Sequence, residues 1–337
     1  MNIYIRNEHY ENEYRSPLTP QDILRLLNKG FHFTIQESNY RVFTNQDFQD
    51  ISGLTLTQKE WFEPEFQTFL ILGIKELTCL EKLHKHTHCY FSHSFKQQNN
   101  SRSILSAFST SKSILHDIEY LLDSSGNRLI TFGFYSGLVG ATLGLQEYSL
   151  SQSKKSLENL TFWNSFEEML ASIQIPSKLS PRIAVLGSHG RCGSGVCSLL
   201  QKVNLSYSTF NTKDKIQHLD QYDIVFNCIL LDSSYSQIWF SKESIPKDPI
   251  VIVDISCDYS KPNNPIPLYT QATTWKHPVY RPYDSVHILA IENLPSLLPK
   301  ESSIHFSQQL TKLLLENDEN VWQSNKNYFL QLISELE

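Results

Sequence analysis

Short apolar runs alternate along this chain with polar stretches of helical period. That alternation predicts an α/β architecture with parallel sheets. Residues 2–5 read as a strand. Thr19 and Pro20 have the chemistry of an N-cap followed by proline at the first helical position. Ile23, Leu24, Leu26 and Leu27 then form an apolar stripe that Gly30 ends. Residues 31–35 and 69–74 read as strands, the second followed at once by Lys75 and Glu76. Residues 84–91 read as a loop entering a strand, 114–122 as a short helix, 123–127 as a turn and 129–134 as an apolar segment. The stretch 137–150 is a helix with small residues on one face. A polar lead-in, 151–181, is helical around 166–173. Further strands are expected at 182–186, near Phe210, and at 223–230, 250–255 and 289–291, with a helix from Gly193 to about Lys202. The tail from residue 299 is mostly helical.

The chain has 337 residues, and at roughly 150 residues per domain that length suggests two domains. The strand pattern predicts a doubly wound sheet in each. A net charge of −6 argues against a nucleic-acid backbone binder. The first fifteen residues lack the apolar core of a secretory signal, and no run reaches the roughly 18 apolar residues of a membrane span. A soluble, cytoplasmic protein with no membrane partner is expected. The six cysteines are scattered without a CxxC pair, which suits reduced thiols rather than a disulfide or zinc framework. Glycine is scarce, 12 in all, yet concentrated: Gly133, Gly137, Gly140 and Gly144 form one group, and Gly187, Gly190, Gly193 and Gly195 another.

The second group lies between a buried strand and an amphipathic helix. There glycine permits a tight turn and close approach to phosphates, and the helix N-terminus offers unpaired N–H groups. A dinucleotide pyrophosphate fits this context; a tight turn without a ligand is the blander alternative. The spacing departs from GxGxxG, since the second glycine comes three residues after the first. At the end of the next strand, Asn211 stands where a ribose-binding carboxylate is expected. It removes the repulsion that excludes a 2′-phosphate, and Lys213 and Lys215 lie nearby, so both NAD and NADP suit the residues.

Four histidines, His84, His86, His88 and His93, lie close together in sequence, the first three alternating as on one strand face. No acidic or cysteine ligand completes a zinc pattern, so no metal is expected; solvent-exposed loop histidines fit His84 and His86. Lys75 and Glu76 follow directly on an apolar strand. Ligands collect beyond the carboxyl ends of parallel strands, where a partly desolvated lysine can serve proton transfer. An ordinary strand-end lysine is the reading that spacing alone favours.

Taken together, Gly187–Gly195, Phe226–Ile229, Val253–Ser256, Asn264–Thr270, Leu294–Pro299, Arg15–Pro20, Gly73–Glu76, Phe91–His93 and Phe132–Tyr135 resemble, in order along nearly the whole chain, the lysine-forming, NAD-dependent saccharopine dehydrogenases. More distantly the chain is similar to alanine dehydrogenase and the transhydrogenase domain. The resemblance implies two Rossmann-like domains, at 1–136 with 299–337 and at 137–298, the first completed by the C-terminal helices, with the active site in the cleft between them. It implies oxidation of saccharopine at the glutamate-side Cα–N bond, hydride passing to NAD, and hydrolysis of the imine to lysine and 2-oxoglutarate.

Carried over by position, Lys75 falls on the family's acid–base lysine and His88 on its catalytic histidine, which handles protons in imine hydrolysis. Glu76 and Glu119 match acidic residues that moderate this basic pair. Arg15 and Arg128 match arginines that hold substrate carboxylates, as a fork-shaped guanidinium can; surface salt bridges are the alternative. Phe132 joins them on the substrate side. The resemblance assigns Gly187, Gly190, Arg191, Cys192, Gly193, Asn211, Cys228, Ile229, Asp254, Ile291 and Glu292 to the cofactor. Cys192 and Cys228 match a pair that can form a disulfide in the family; a reducing cytoplasm favours free thiols. Asn211 in place of aspartate, Glu292 and Asn293 in place of Asp-His, and Tyr10 near an expected lysine mark a diverged member.

The expected function is therefore an oxidoreductase on saccharopine or a related opine-like secondary amine, with a small-molecule amine and 2-oxoacid as partners. A monomer or small homo-oligomer is expected. The alternatives are a non-catalytic nucleotide- or partner-binding protein on the same fold, motivated by Asn211 and Asn293, and metal-dependent hydrolysis through the histidines.

Overall fold

The computed structural model describes residues 1–96, 100–176, 178–214, 216–231, 235–243 and 245–336. The chain divides into two units, Met1–Thr131 with Pro299–Glu337, and Phe132–Leu298. In the first unit β1 is Asn2–Ile5, with Ile3, Tyr4 and Ile5 all buried, as a central parallel strand requires. In α1, Pro20–Leu27, the Thr19 hydroxyl caps the Asp22 N–H. Ile23 and Leu26 are buried, but Leu24, expected on the same stripe, is 46% exposed. One residue advances a helix by about 100°, which carries Leu24 off the face that Ile23 and Leu26 share.

The unit continues through β2 (His32–Gln36), α2 (Asn45–Gln49), β3 (Leu54–Thr57), β4 (Leu70–Leu72), β5 (Thr87–Tyr90), α3 (Ser101–Thr110) and β6 (Ile114–Asp117). The segment expected as a helix at 114–122 is thus a strand, followed by a single 3₁₀ turn at Ile118–Tyr120. Its first four residues pair with β5 from Thr87↔Ile114 to Tyr90↔Asp117. A short apolar run does not declare its period, and the vacant ladder of β5 decides the conformation. The sheet order is β3-β2-β1-β4-β5-β6, parallel throughout. The order reverses between β1 and β4, which makes their carboxyl ends the natural ligand position.

The second unit opens with α4 (Gly133–Ser151) and α5 (Phe166–Ala171). It continues with β7 (Ile183–Leu186), α6 (Arg191–Lys202), β8 (Ser208–Phe210), β9 (Ile224–Asn227), β10 (Ile250–Asp254), β11 (Tyr280–Tyr283) and β12 (Val286–Leu289). The strand expected at 289–291 lies three residues earlier. Its sheet runs β11-β12-β10-β9-β7-β8, with β11 alone antiparallel. Glycines let α4 sit directly on α6 and the sheet: a Cβ at Gly137 would overlap the Cys192 carbonyl, one at Gly195 the Phe134 carbonyl, and one at Gly144 would lie 2.6 Å from the Phe226 ring. No helix among the described residues is long and apolar enough to cross a membrane.

The chain then returns to the first unit as α7 (Pro299–Glu316) and α8 (Glu319–Ser334). The Phe329 ring stacks on Phe95 and meets Phe108 edge-on. The Ser303 and Ser307 hydroxyls accept the N–H groups of Ser16 and Thr19 at 2.9 and 3.0 Å, which ties the segment before α1 to the tail.

Candidate active site and cofactor site

In the first unit, the parallel strands deliver four polar segments to one edge: residues 6–10 after β1, 73–76 after β4, 91–96 after β5, and 117–119 at the end of β6. Lys75 is half-buried. Its N–H donates to the Glu8 carboxylate at 3.0 Å, and its Nζ lies 5.8 Å from the centroid of the Tyr10 ring. Burial, together with the charge of Glu76 and a hydrogen bond to it, pushes the Tyr10 phenol up. Glu119 is the hub of the other side. Its carboxylate meets Lys96 Nζ at 2.7 Å, Arg128 at 3.0 Å and His93 Nδ1 at 3.3 Å. Burial alone would raise the Glu119 pKa, but the His93 hydrogen bond and the Lys96 and Arg128 charges outweigh it and hold it at about 2.

His93 is 35% exposed, has φ +54°, and places Nε2 3.9 Å from Glu76. Burial pulls its pKa down, but Glu119, Glu76 and Asp117 prevail and raise it. The loop is braced from below. The Ser92 hydroxyl donates to the buried Asp117 carboxylate at 2.7 Å, and Asp117 also accepts the Glu119 N–H at 3.0 Å. Burial pushes the Asp117 carboxyl up to about 6. Arg15 is buried and bidentate on Glu13, at 2.7 and 2.6 Å. Against burial, Arg15 and then Lys75 hold the Glu13 pKa low.

His88 does not join this group. It is 0% exposed inside β5, its ring edge-on to Trp61 and Phe108, and neither ring nitrogen has a hydrogen-bond partner among the described residues. Burial, then the charge of Arg6, depresses its pKa far below the usual imidazole value. His88, expected as the site's histidine, thus lies in the core and not at this edge. A side chain in mid-strand of a sheet covered on both faces points into the core, whereas His93, three residues past the strand end, is released to the edge. His86, expected exposed, is buried as well, while His84 is exposed.

These neutral buried rings predict an acid weakness. Burial lowers the pKa values of His88 and His86, and that of His116 to about 4. The unfolded chain binds protons on all three near pH 6.5. It therefore holds more protons than the folded chain below that pH, and their stabilising effect is full above about 6.5 and lost as pH falls. Asp117 and His93, whose folded values are raised, oppose this, Asp117 over pH 6 to 4 and His93 from above pH 6.5, but they are two groups against three. The unfolding free energy of this unit, read from denaturant titrations, should fall between pH 7 and 4.5 by on the order of 2 kcal/mol, and the drop should shrink in His88→Leu. A flat profile would contradict it.

In the second unit, Gly187 at the end of β7 has φ +79°, and a Cβ there would lie 2.9 Å from the Cys228 carbonyl. Its N–H donates to Phe210 at 2.6 Å, and the Gly190 N–H donates back to Gly187 at 3.1 Å. Gly190 caps α6 with no side-chain bond to the first turn, and Arg191 and Cys192 open the helix. A Cβ at Gly193 would lie 2.6 Å from Ser188 Cα, whereas one at Gly190 would meet only the Gly187 oxygen at 3.4 Å. The loop is thus packed tightly underneath and open at Gly190, beside the helix N-terminus, which fits a pyrophosphate.

Asn211 follows β8. Its N–H donates to the Asp214 carboxylate at 2.6 Å, so a carboxylate stands at this strand end three positions later than expected. Lys213 is exposed, and Lys215 lies outside the described residues. The Cys228 N–H extends the ladder to Leu186 at 2.9 Å, and burial raises its thiol pKa, the nearby Cys192 adding to this. Ile229 is buried, its N–H on Asn227. Asp254, assigned to the cofactor by resemblance, bonds within its own unit. It is buried, and its oxygens accept from Tyr269 at 2.5 Å, Asn227 at 2.9 Å and the Cys257 N–H at 3.1 Å, which ties together the ends of β9 and β10. Ile291 is buried, and Glu292 accepts the Tyr259 hydroxyl at 3.0 Å. Phe132 is buried just before α4.

Residues 4–139 match the family model described as alanine dehydrogenase/PNT, N-terminal domain, and 169–331 match its C-terminal domain. A saccharopine dehydrogenase [NAD(+), L-lysine-forming] of Yarrowia lipolytica is 33% identical over 93% of this chain and 91% of its own. The chain belongs to the saccharopine dehydrogenase family. It is accordingly an oxidoreductase. The family member of Schizosaccharomyces pombe is 29% identical over 99% of both chains. The fold is shared with a solved L-alanine dehydrogenase at TM-score 0.68 and 12% identity, covering 98% of this chain and 94% of that one. The transhydrogenase of Sinorhizobium meliloti follows at 0.67 and 14%, covering 93% and 92%.

Within this family member, the structure brings Lys75, Glu76, Glu119 and Arg128 to one sheet edge, and adds His93, Lys96, Glu8 and Glu13, which sequence reasoning did not place there. A usable signal existed for His93: it follows the last apolar residues of β5, where parallel sheets present ligand-binding groups.

Proposed function

We propose that the protein interconverts saccharopine, or a close opine-like secondary amine, with an amine and a 2-oxoacid. The observation that carries this reading is the placement of Lys75, its N–H on Glu8, and of His93, against Glu76 and Glu119, at the carboxyl ends of β4 and β5 beside the switch point. A nicotinamide cofactor, when bound, supplies the hydride acceptor. Lys75 takes the proton of the substrate's secondary amine as its Cα–N bond is oxidised to an imine. His93, with Glu119 and Glu76 against it, accepts a proton from the water that adds to the imine carbon and returns one to the leaving amine. Arg128 holds a substrate carboxylate, its charge tempered by Glu119; Arg15, locked to Glu13, supplies a second positive edge. In the second unit, Gly187, Gly190 and the start of α6 hold the pyrophosphate. Asp214 beside Asn211 disfavours a 2′-phosphate, so NAD is the cofactor.

The test is a matrix of amines and 2-oxoacids, each with NADH and with NADPH. Lysine with 2-oxoglutarate and NADH should give the fastest turnover, and Lys75→Met should lower it by about 10²-fold or more. Undiminished turnover in Lys75→Met, or a preference for NADPH, contradicts the corresponding part.

A further inference from the structure

Lys75 lies just past the end of β4, where its peptide groups lose the hydrogen bonds of the sheet ladder. A lysine ammonium sits on a flexible four-carbon stem, so its position depends first on how firmly its backbone is held. Here the backbone is held by side chains. One Glu8 oxygen accepts the Ile74 N–H at 2.6 Å; the other accepts the Lys75 N–H at 3.0 Å and Arg6 Nη1 at 3.1 Å. Arg6 Nη2 donates to the Lys75 carbonyl. Both side chains are buried. The ladder reaches this point on either side: the Arg6 N–H donates to Leu72 at 3.1 Å, and the Phe91 N–H donates to the Ile74 carbonyl at 3.0 Å.

We propose that Arg6 and Glu8 form a positioning clamp that fixes the Lys75 backbone on both sides of its Cα. The reasoning rests on the acid–base role of Lys75 given above. Charge-assisted hydrogen bonds are stronger than neutral ones, and a carboxylate can take two adjacent N–H groups at once. Gly73 belongs to the same device. Any Cβ there would overlap the Arg6 guanidinium, so glycine is what lets the arginine pass beneath the chain to the Lys75 carbonyl. Tyr10, two residues beyond Glu8, lays its ring against the ammonium. The segment after β1 thus touches Lys75 at its N–H, its carbonyl and its charge.

Three variants of the full chain test this: Glu8→Gln, which keeps shape but loses the charge; Gly73→Ala, which displaces Arg6 from outside the ion pair; and Lys75→Met. NADH binding, read by fluorescence, reports that the second unit is intact, and melting reports the folded fraction. Glu8→Gln and Gly73→Ala should each lower kcat by about tenfold or more, with KM for the oxoacid and NADH affinity within about threefold of wild type. Amide exchange at Ile74 and Lys75 should quicken by about tenfold or more in both. Wild-type exchange at these two amides overturns the clamp whatever the chemistry. Loss of kcat only in proportion to the folded fraction overturns it as a positioning device. Full activity in Lys75→Met overturns the reading of the site, while the exchange result still judges the clamp.

Discussion

His93→Asn should lower turnover by about 10²–10⁴-fold, the range for loss of a placed proton-transfer group, while NADH binding and melting stay near wild type. His88→Leu should do the opposite. It should keep turnover and leave the protein as stable as wild type or more so. The reason is the difference in surroundings. His93 is a third exposed, and its ring faces Glu119 and Glu76. His88 is fully buried with two ring nitrogens that bond to nothing described, so an apolar side chain removes unmade hydrogen bonds rather than made ones. Steady-state rates in both directions, beside a urea titration at pH 7, decide the matter. Lost turnover in a folded His88→Leu protein, with His93→Asn active, would reverse the two roles.

Gly137→Ala should destabilise the second unit by about 3 kcal/mol or more, whereas Gly190→Ala should leave it folded and weaken NADH binding by about tenfold or more. At Gly137 the new methyl would overlap the Cys192 carbonyl, and backbone on backbone cannot yield without moving α4 away from α6. At Gly190 the φ of −74° suits any residue and the nearest atom is 3.4 Å away. The methyl there would stand in the space proposed above for the phosphates. Denaturant unfolding and NADH titration of both variants separate the two effects. Equal affinity in Gly190→Ala would remove the pyrophosphate from this loop.

Much of this was readable in advance where one residue type permits one conformation. The Thr19–Pro20 start of α1, the turn at 123–127 with Gly126 at φ +80°, and the glycine turn between β7 and α6 are of that kind. Residues 114–122 read as helical in the sequence, yet 114–117 form a strand, because four residues, two of them apolar, have no period of their own and pairing with β5 sets their conformation. Which histidine reaches the sheet edge is hard to read from the sequence for a related reason. The run from His84 to His93 contains a strand, and a shift of a few residues in where it ends moves a ring from the core to the site. Asp254 falls on a cofactor position by resemblance; that its carboxylate accepts the hydroxyl of Tyr269, fifteen residues on, is visible only in the fold.

The sequence by itself determined the α/β class, the glycine turn before α6, and the Gly73–Glu76 segment at a strand end. These depend on local sterics, strand-length apolar runs and the family's ordered motifs. Only the tertiary structure decided which histidine meets Glu119, that Arg15 is already paired with Glu13, and that Arg6 and Glu8 hold the peptide of a lysine nearly seventy residues away. Arg15 and Glu13 are near neighbours in sequence, but His93 and Glu119, and Arg6, Glu8 and Lys75, come together because parallel strands distant in sequence share one edge of a sheet, and that edge exists only once the sheet has formed.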